Sequence, residues 1–260
     1  MKRAKKAIID LASLESNFLP LSKEVSRELL PVGDMPIVYH LVEEAVEIGA
    51  ESVVFLFEGG EDSSLASFFT ALEEEAEELK KKGNPRFKRV EKAAEQFSEL
   101  KFSFTDDLQD AISGSESFSY LSSEHLFLGD KKGLAQLMDV FKTSERPVIA
   151  ILNEENEAIE TEKIARSLFK IKRLDEDLDF SELGRAIFTS ESKKFFKKKK
   201  KVEEALKEMI YRGHTVYGTE IKGDFLEVED YQSLLKANIL YGLKLKSLTE
   251  LEDILKEGNL

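Results

Sequence analysis

The feature that most constrains this chain is a strand, helix, strand succession near its start. Lys6 to Ala12 reads as a short buried strand, and the polar stretch Ser13 to Asn17 as the loop that leaves it. Ile37 to Ile48 then places Val38, Leu41, Val42, Ala45 and Val46 at helical spacing. Gly49 supplies a helix stop, and Val53 to Phe57 follows as a nearly continuous apolar strand. Two strands joined across a helix lie parallel, because such a connection must carry the chain back to the same end of the sheet. The predicted class is therefore α/β.

The remaining text is consistent with that class. Ser64 to Leu100 is helical and highly charged, broken at Gly83 to Pro85, with Leu72, Ala76 and Leu79 on one stripe. It reads as a surface excursion, with a partner-binding hairpin as the alternative. Phe102 and Phe104 alternate as in a strand, Gln109 to Glu124 is Ser-rich with one helical turn, and Leu126 to Leu128 is a short strand. A helix at Leu134 to Phe141 and a buried strand at Val148 to Leu152 follow. Further on, Phe169 to Leu174 alternates, Leu183 to Phe188 is apolar, and Val202 to Ile210 is an amphipathic helix. Val216 to Ile221 and Phe225 to Val228 suggest a hairpin turning at Gly223 and Asp224. The pattern predicts one domain over 1–260, with an excursion at about 64–100 and terminal helices at about 231–257. Ile8, Val54, Leu128 and Ile149 are expected on the core strands of its central sheet.

Composition removes several function classes. A formal charge of -13 opposes a generic nucleic-acid surface. There is no Cys, hence no disulfide or thiolate metal site, and three scattered histidines do not form a zinc pattern. The basic run Lys197 to Lys201, preceded by Phe195 and Phe196, reads as a solvated helix face anchored by two rings, with attraction of phosphates or an acidic partner as its alternative. No stretch approaches the roughly 18 apolar residues of a membrane span. Asp10 and Glu15 oppose a signal peptide, so a cytoplasmic location is expected.

Several ordered segments carry a family resemblance: KAII at Lys6 to Ile9, FLPLSKEVSRELLPVGDMPI at Phe18 to Ile37, EEAVEIGAESVV at Glu43 to Val54, FLGD at Phe127 to Asp130, and LLKAN at Leu234 to Asn238. In these the chain resembles the bacterial UTP-glucose-1-phosphate uridylyltransferase family, a branch of the nucleotide-sugar pyrophosphorylases. The resemblance implies a Rossmann-like nucleotide-diphospho-sugar transferase fold: a mostly parallel central sheet flanked by helices, with a nucleoside triphosphate and a sugar 1-phosphate beside the strand ends. It also implies Mg²⁺ if the ancestral metal site is retained, and a homodimer or other protein partner.

The loops that carry the chemistry depart from the family pattern. Where its first loop looks like GxGTR, this chain has Ser13, Leu14, Glu15, Ser16 and Asn17. Glu15 adds bulk and negative charge where a polyphosphate would pass, and Asn17 neutralises neither. The uridine-side LGLGHA is matched by DDLQDA, placing Asp107 and Gln109 at glycine positions and adding the acids Asp106 and Asp110. Those acids also suit a helix start. By resemblance Ser13, Asn17 and Gln109 fall on the nucleotide side. Arg27, at the lysine of KExLP, becomes a residual anion ligand, with loop anchoring as its alternative. Asp130 aligns with a metal-binding aspartate of catalytic importance, Glu227 with the second metal acid, and Gly184, beside Arg185, with a sugar-side segment. The expectation is a degenerate, noncatalytic or strongly altered relative, a pseudoenzyme candidate that binds a nucleotide, sugar phosphate or protein. The alternative is an active Mg²⁺-dependent uridylyltransferase.

Overall fold

Ile8 and Val54 face one side of their strands while Ala7, Ile9, Val53 and Phe55 face the other, and all six are buried. A strand whose two faces are both covered lies inside a sheet flanked by helices on each side. The computed structural model describes residues 3–11, 15–19, 25–57, 63–114, 116–128, 131–152, 158–180, 183–199 and 201–244. The second predicted terminal helix, Leu248 to Leu255, lies outside them.

The first half of the chain runs β1 (Lys6–Asp10), β2 (Pro31–Val32), β3 (Met35–Pro36), α1 (Ile37–Glu47), β4 (Ser52–Leu56), α2 (Ser63–Lys81), α3 (Phe87–Phe97), β5 (Lys101–Thr105), α4 (Leu108–Ile112), β6 (Phe118–Ser122) and β7 (His125–Leu128). The second half continues through α5 (Gly133–Ser144), β8 (Val148–Ile151), β9 (Ile159–Ala165), β10 (Leu168–Leu174), β11 (Arg185–Phe188), α6 (Lys193–Phe196), α7 (Val202–Tyr211), β12 (Tyr217–Glu220), β13 (Asp224–Glu227) and α8 (Tyr231–Lys244).

Nine strands form the central sheet in the order β5-β4-β1-β6-β11-β8-β12-β10-β9. β5, β4, β1 and β6 are mutually parallel, β12 is parallel to β8, and only β10 and β11 run against the rest. Helices α1, α2, α3, α5 and α8 bury residues in the core on one face, and α4, α6 and α7 in the core on the other. The mostly parallel α/β sheet expected from the sequence is present. Among the described residues no helix is long and apolar enough to cross a membrane.

Three details differ from expectation. β6, the strand beside β1 at the sheet's centre, lies inside the stretch read as polar; Ser119 and Ser122 are buried there, and their hydroxyls hide the apolar signal of Phe118, Tyr120 and Leu121. Leu128 is on a strand, but β7 pairs with β13 in a separate two-stranded sheet. The hairpin predicted near Gly223 does not form: β12 joins β8 and β10, while β13 crosses to β7. Gly223 makes that divergence possible, with φ of +131 and room for no side chain, since a Cβ there would lie 2.4 Å from Phe127 Cζ.

The charged excursion is helical as predicted, and its inner stripe is not idle. Leu65, Leu72, Ala76, Val90, Ala93 and Phe97 are buried, and Phe69 stacks on Phe55 and Phe102 at ring separations of 5.7 and 4.3 Å. These helices thus cover the β4–β5 side of the sheet. On α8, by contrast, Tyr231, Leu235, Ile239 and Leu243 remain exposed at four-residue spacing.

Candidate functional site

Ligand crevices in open α/β sheets form beyond the carboxyl ends of parallel strands. Here a cleft of about 620 Å³ opens where β1 ends at Asp10, β4 at Leu56 and α4 begins, closed on the far side by Phe180 and by Lys198, Lys199, Lys201, Val202 and Glu203. Its size lies within the roughly 300–1,000 Å³ range of small-molecule sites.

The cleft floor is acidic. Asp10 Oδ2 accepts a hydrogen bond of 2.5 Å from the hydroxyl of Tyr120 on β6. Burial pushes the Asp10 carboxyl up to about 6; the Tyr120 bond opposes that shift, and Glu203 and Asp179 add to it. Glu203 and Glu124 are also raised, chiefly by burial. Lys201 lies 3.6 Å from both Asp179 and Glu203, and Lys199 3.3 Å from Glu208 on α7. The basic run is therefore partly neutralised at the cleft wall, while Phe195 and Phe196 are buried as anchors. Six carboxylates (Asp10, Asp106, Asp107, Glu124, Asp179 and Glu203) line the space against three lysines.

Asp107 and Gln109 enter through α4. Asp107 is its N-cap, its Oδ1 accepting from the Gln109 backbone at 2.6 Å, so the helix-start reading of these acids is borne out. Gln109 lines the cleft, but its side-chain amide donates to the carbonyl oxygens of Phe196 and, at 3.4 Å, Lys199. It thereby ties α4 to the lysine-bearing wall. Lys6 of the KAII segment holds the other end of α4, donating to the carbonyls of Ala111 at 2.8 Å and Ser113 at 2.7 Å.

The remaining sequence candidates are dispersed. Ser13 and Asp130 lie outside the described residues. Asn17 is exposed in the 3-10 turn Glu15–Phe18. Arg27 is fully buried. Its Nε donates to Val228 O at 3.1 Å, Nη1 to Glu28 Oε1 at 2.8 Å and Ser123 Oγ at 3.1 Å, and Nη2 to Ser123 O at 2.6 Å. The guanidinium thus joins the turn before β2 to the β6–β7 corner and the end of β13.

Gly184 turns the chain into β11 with φ of +64, and its missing Cβ faces Phe225 and His125 at 3.5 and 3.6 Å. Its neighbour Arg185, also fully buried, grips Glu44 of α1 through two bonds of 2.9 and 3.0 Å and donates to the carbonyls of Ser122, Gly184 and His125. Glu44 Oε2 also accepts from Leu134 N at 3.0 Å. A buried charge pair is tolerable when both partners are this fully hydrogen-bonded.

Glu227 is exposed on β13 opposite His125, with Oε1 3.8 Å from His125 Nε2. Burial, then Arg185 and Arg27, hold that imidazole down at about 4, so it is neutral near pH 7. Among the described residues no group of three or more His, Asp or Glu side chains is placed to hold a metal ion. Of the two acids that the resemblance assigns to Mg²⁺, Glu227 is the one among the described residues, and its carboxylate is an oxygen donor of the kind that ion prefers.

Sequence reading missed Asp10, Tyr120, Asp179 and Glu203 as cleft residues. Only Asp10 carried a local signal, an acid ending an apolar strand. The others converge from strands and helices far apart in the chain.

No family model matches the chain. It is 28% identical over 160 residues to a UTP-glucose-1-phosphate uridylyltransferase of Bacillus subtilis, a match spanning 58% of this chain and about half (54%) of that relative. It is 24% identical over 288 residues to UTP-glucose-1-phosphate uridylyltransferase 2 of Staphylococcus saprophyticus, covering 99% of each. Among solved structures, the UTP-bound UGPase of Acinetobacter baumannii superposes with a TM-score of 0.79 at 18% identity, covering 98% of this chain and 100% of the other. The resemblance read from the ordered segments is borne out, and so is the nucleotidyltransferase-type fold.

Proposed function

We propose that this chain uses the uridylyltransferase scaffold as a ligand-binding protein in which transfer of a uridylyl group from UTP to glucose 1-phosphate is lost or strongly altered. The observation that carries this reading is the cleft at the ends of β1, β4 and β6, where six carboxylates face three lysines, two of them already engaged by acids. A transferring phosphoryl group needs donors and cations aimed at its developing charge. An unscreened like charge about 4 Å away instead opposes it by about 1 kcal/mol in water and about 4 kcal/mol near a protein surface. The Glu15 and Asn17 replacements in the first loop, and Asp107 and Gln109 in the second, work in the same direction. A nucleotide or sugar phosphate remains the ligand class for the cleft, since one relative is named for UTP and glucose 1-phosphate and one structural neighbour is UTP-bound.

The second reading is an active Mg²⁺-dependent uridylyltransferase, favoured by similarity over nearly the whole length of a curated relative. In that reading Asp130 and Glu227 carry the metal, Arg27 compensates charge, and Ser13, Asn17, Gln109 and Gly184 border the substrates. When bound, Mg²⁺ would neutralise phosphate charge. Pyrophosphate release with purified protein, Mg²⁺, UTP and glucose 1-phosphate, with direct detection of UDP-glucose, separates the readings. Turnover well below about 1 s⁻¹ is expected, and robust turnover at or above that value, the lower part of the usual enzyme range, overturns the altered-activity reading.

A further inference from the structure

A second cavity, of about 460 Å³, opens at the other end of the central sheet. It lies where the chain enters β6 at Ser117, enters β8 at Pro147 and leaves β11 at Thr189. The cleft described above opens instead at the carboxyl ends of β1, β4 and β6, so the two spaces are separated by the length of the strands.

The lining of this cavity has a definite chemistry. Its apolar part comes from Phe195, Met209 and Pro147, all buried. Around that floor stand hydroxyl side chains. Among the described residues those of Ser117, Ser190 and Thr215 make no hydrogen bond to protein, and neither do the Arg146 guanidinium, the Glu191 carboxylate or the His214 imidazole. Hydroxyls, a guanidinium, a carboxylate and an imidazole together offer donors and acceptors in several directions.

Charge narrows the class of ligand. Arg146 is set against Glu145 and Glu191, so the lining has no cationic surplus and does not suit a phosphate or other anion. Nor does it suit a nucleobase, because the Phe195 ring is already flanked by Lys194 Nζ at 4.9 Å and by His214 at a ring separation of 4.7 Å. An apolar ligand would strand the hydroxyls. What remains is a compact, uncharged molecule carrying many hydroxyls on a small carbon frame, with waters filling the rest of the space.

We propose that this cavity is a second ligand site, for a neutral monosaccharide, separate from the nucleotide cleft. The site does not depend on whether the cleft is catalytic. Arg146 and Glu191 straddle adjacent ring hydroxyls, and Ser190 and Thr215 complete the polar contacts over the Phe195 and Met209 floor.

Calorimetric titration of the full chain with glucose, galactose and mannose, and separately with inorganic phosphate, tests the site. At least one neutral sugar is expected to bind saturably with one site per chain. Arg146→Ala and Glu191→Ala are each expected to weaken it about tenfold, the loss that goes with a hydrogen bond to a charged group. Both residues are exposed, so the variants should melt as the parent does. Lys201→Ala, in the other cleft, is expected to leave the sugar affinity unchanged. The proposal is overturned by any of four results: no saturable binding of these sugars, binding of phosphate alone, binding that both cavity variants retain, or binding that Lys201→Ala abolishes.

Discussion

Asp10 ends a buried strand and faces Tyr120, Asp179 and Glu203, so ionising it in the folded state is unfavourable. Its carboxyl sits at about 6 against 3.8 for the unperturbed group. Between those two values the folded chain holds a proton that the unfolded chain releases, and stability therefore falls as pH rises through that window. Above about pH 6 the whole penalty is present. Asp10→Asn keeps an acceptor for Tyr120 and removes the charge. It is expected to be more stable than the parent at pH 7 to 8 by about 3 kcal/mol, with the two converging below about pH 4. Urea unfolding across that range is the measurement, and parallel pH profiles for the two proteins would refute the assignment.

Residues of this kind also show where sequence reading ends. Arg27 and Arg185 stand in motifs whose arginines and lysines suggest anion ligands. Their partners, Val228 and Ser123 for one and Glu44 for the other, lie 201, 96 and 141 residues away. No local pattern reveals such pairings, so a buried staple and a phosphate ligand look alike in the sequence.

Elements were legible where their signals were local. The stripe of α1, the Gly49 stop and the break between α2 and α3 depend on neighbours within a turn or two, and each is present. β6 was hidden because serines stand at positions where apolar residues would have marked a buried strand. The partners of β12 and β13 were misassigned because pairing is decided by contacts remote in sequence. The LLKAN segment shows the converse, a motif whose structural part becomes clear only in the fold. Asn238 of α8 accepts from Gly33 N at 2.8 Å and donates to Pro31 O at 3.0 Å, clamping the helix onto the β2–β3 turn. Gly33, with φ of +69, leaves its Cβ space to the Tyr241 ring. Asn238→Ala removes both bonds and is expected to lower the local opening free energy of α8 by about 1–3 kcal/mol. Faster amide exchange confined to α8 and the β2–β3 turn, with β1 and β4 unchanged, is the expected pattern; uniform change across the sheet would contradict it.

At the scale of the whole molecule, we propose α8 as the contact surface of the homodimer that the resemblance implies. Tyr231, Leu235, Ile239 and Leu243 form a four-residue ridge, the kind that packs against a like ridge at about −50°. A two-fold axis would bring two such ridges together. Leu235→Glu should then convert a sedimenting dimer to monomer with little change in melting temperature, while a parent that sediments as a monomer would remove the proposal.

The sheet itself ends in water at β9, where every residue from Glu160 to Ala165 is exposed. Such a margin is a ready template for a stranger's backbone. Here Glu160, Glu162 and Lys163 stand along it, with Glu162 held by Lys172 of the neighbouring strand. The guard against recruitment is electrical rather than steric. Its strength is consequently lent by the solution, and it fades wherever concentrated salt shortens the reach of those charges.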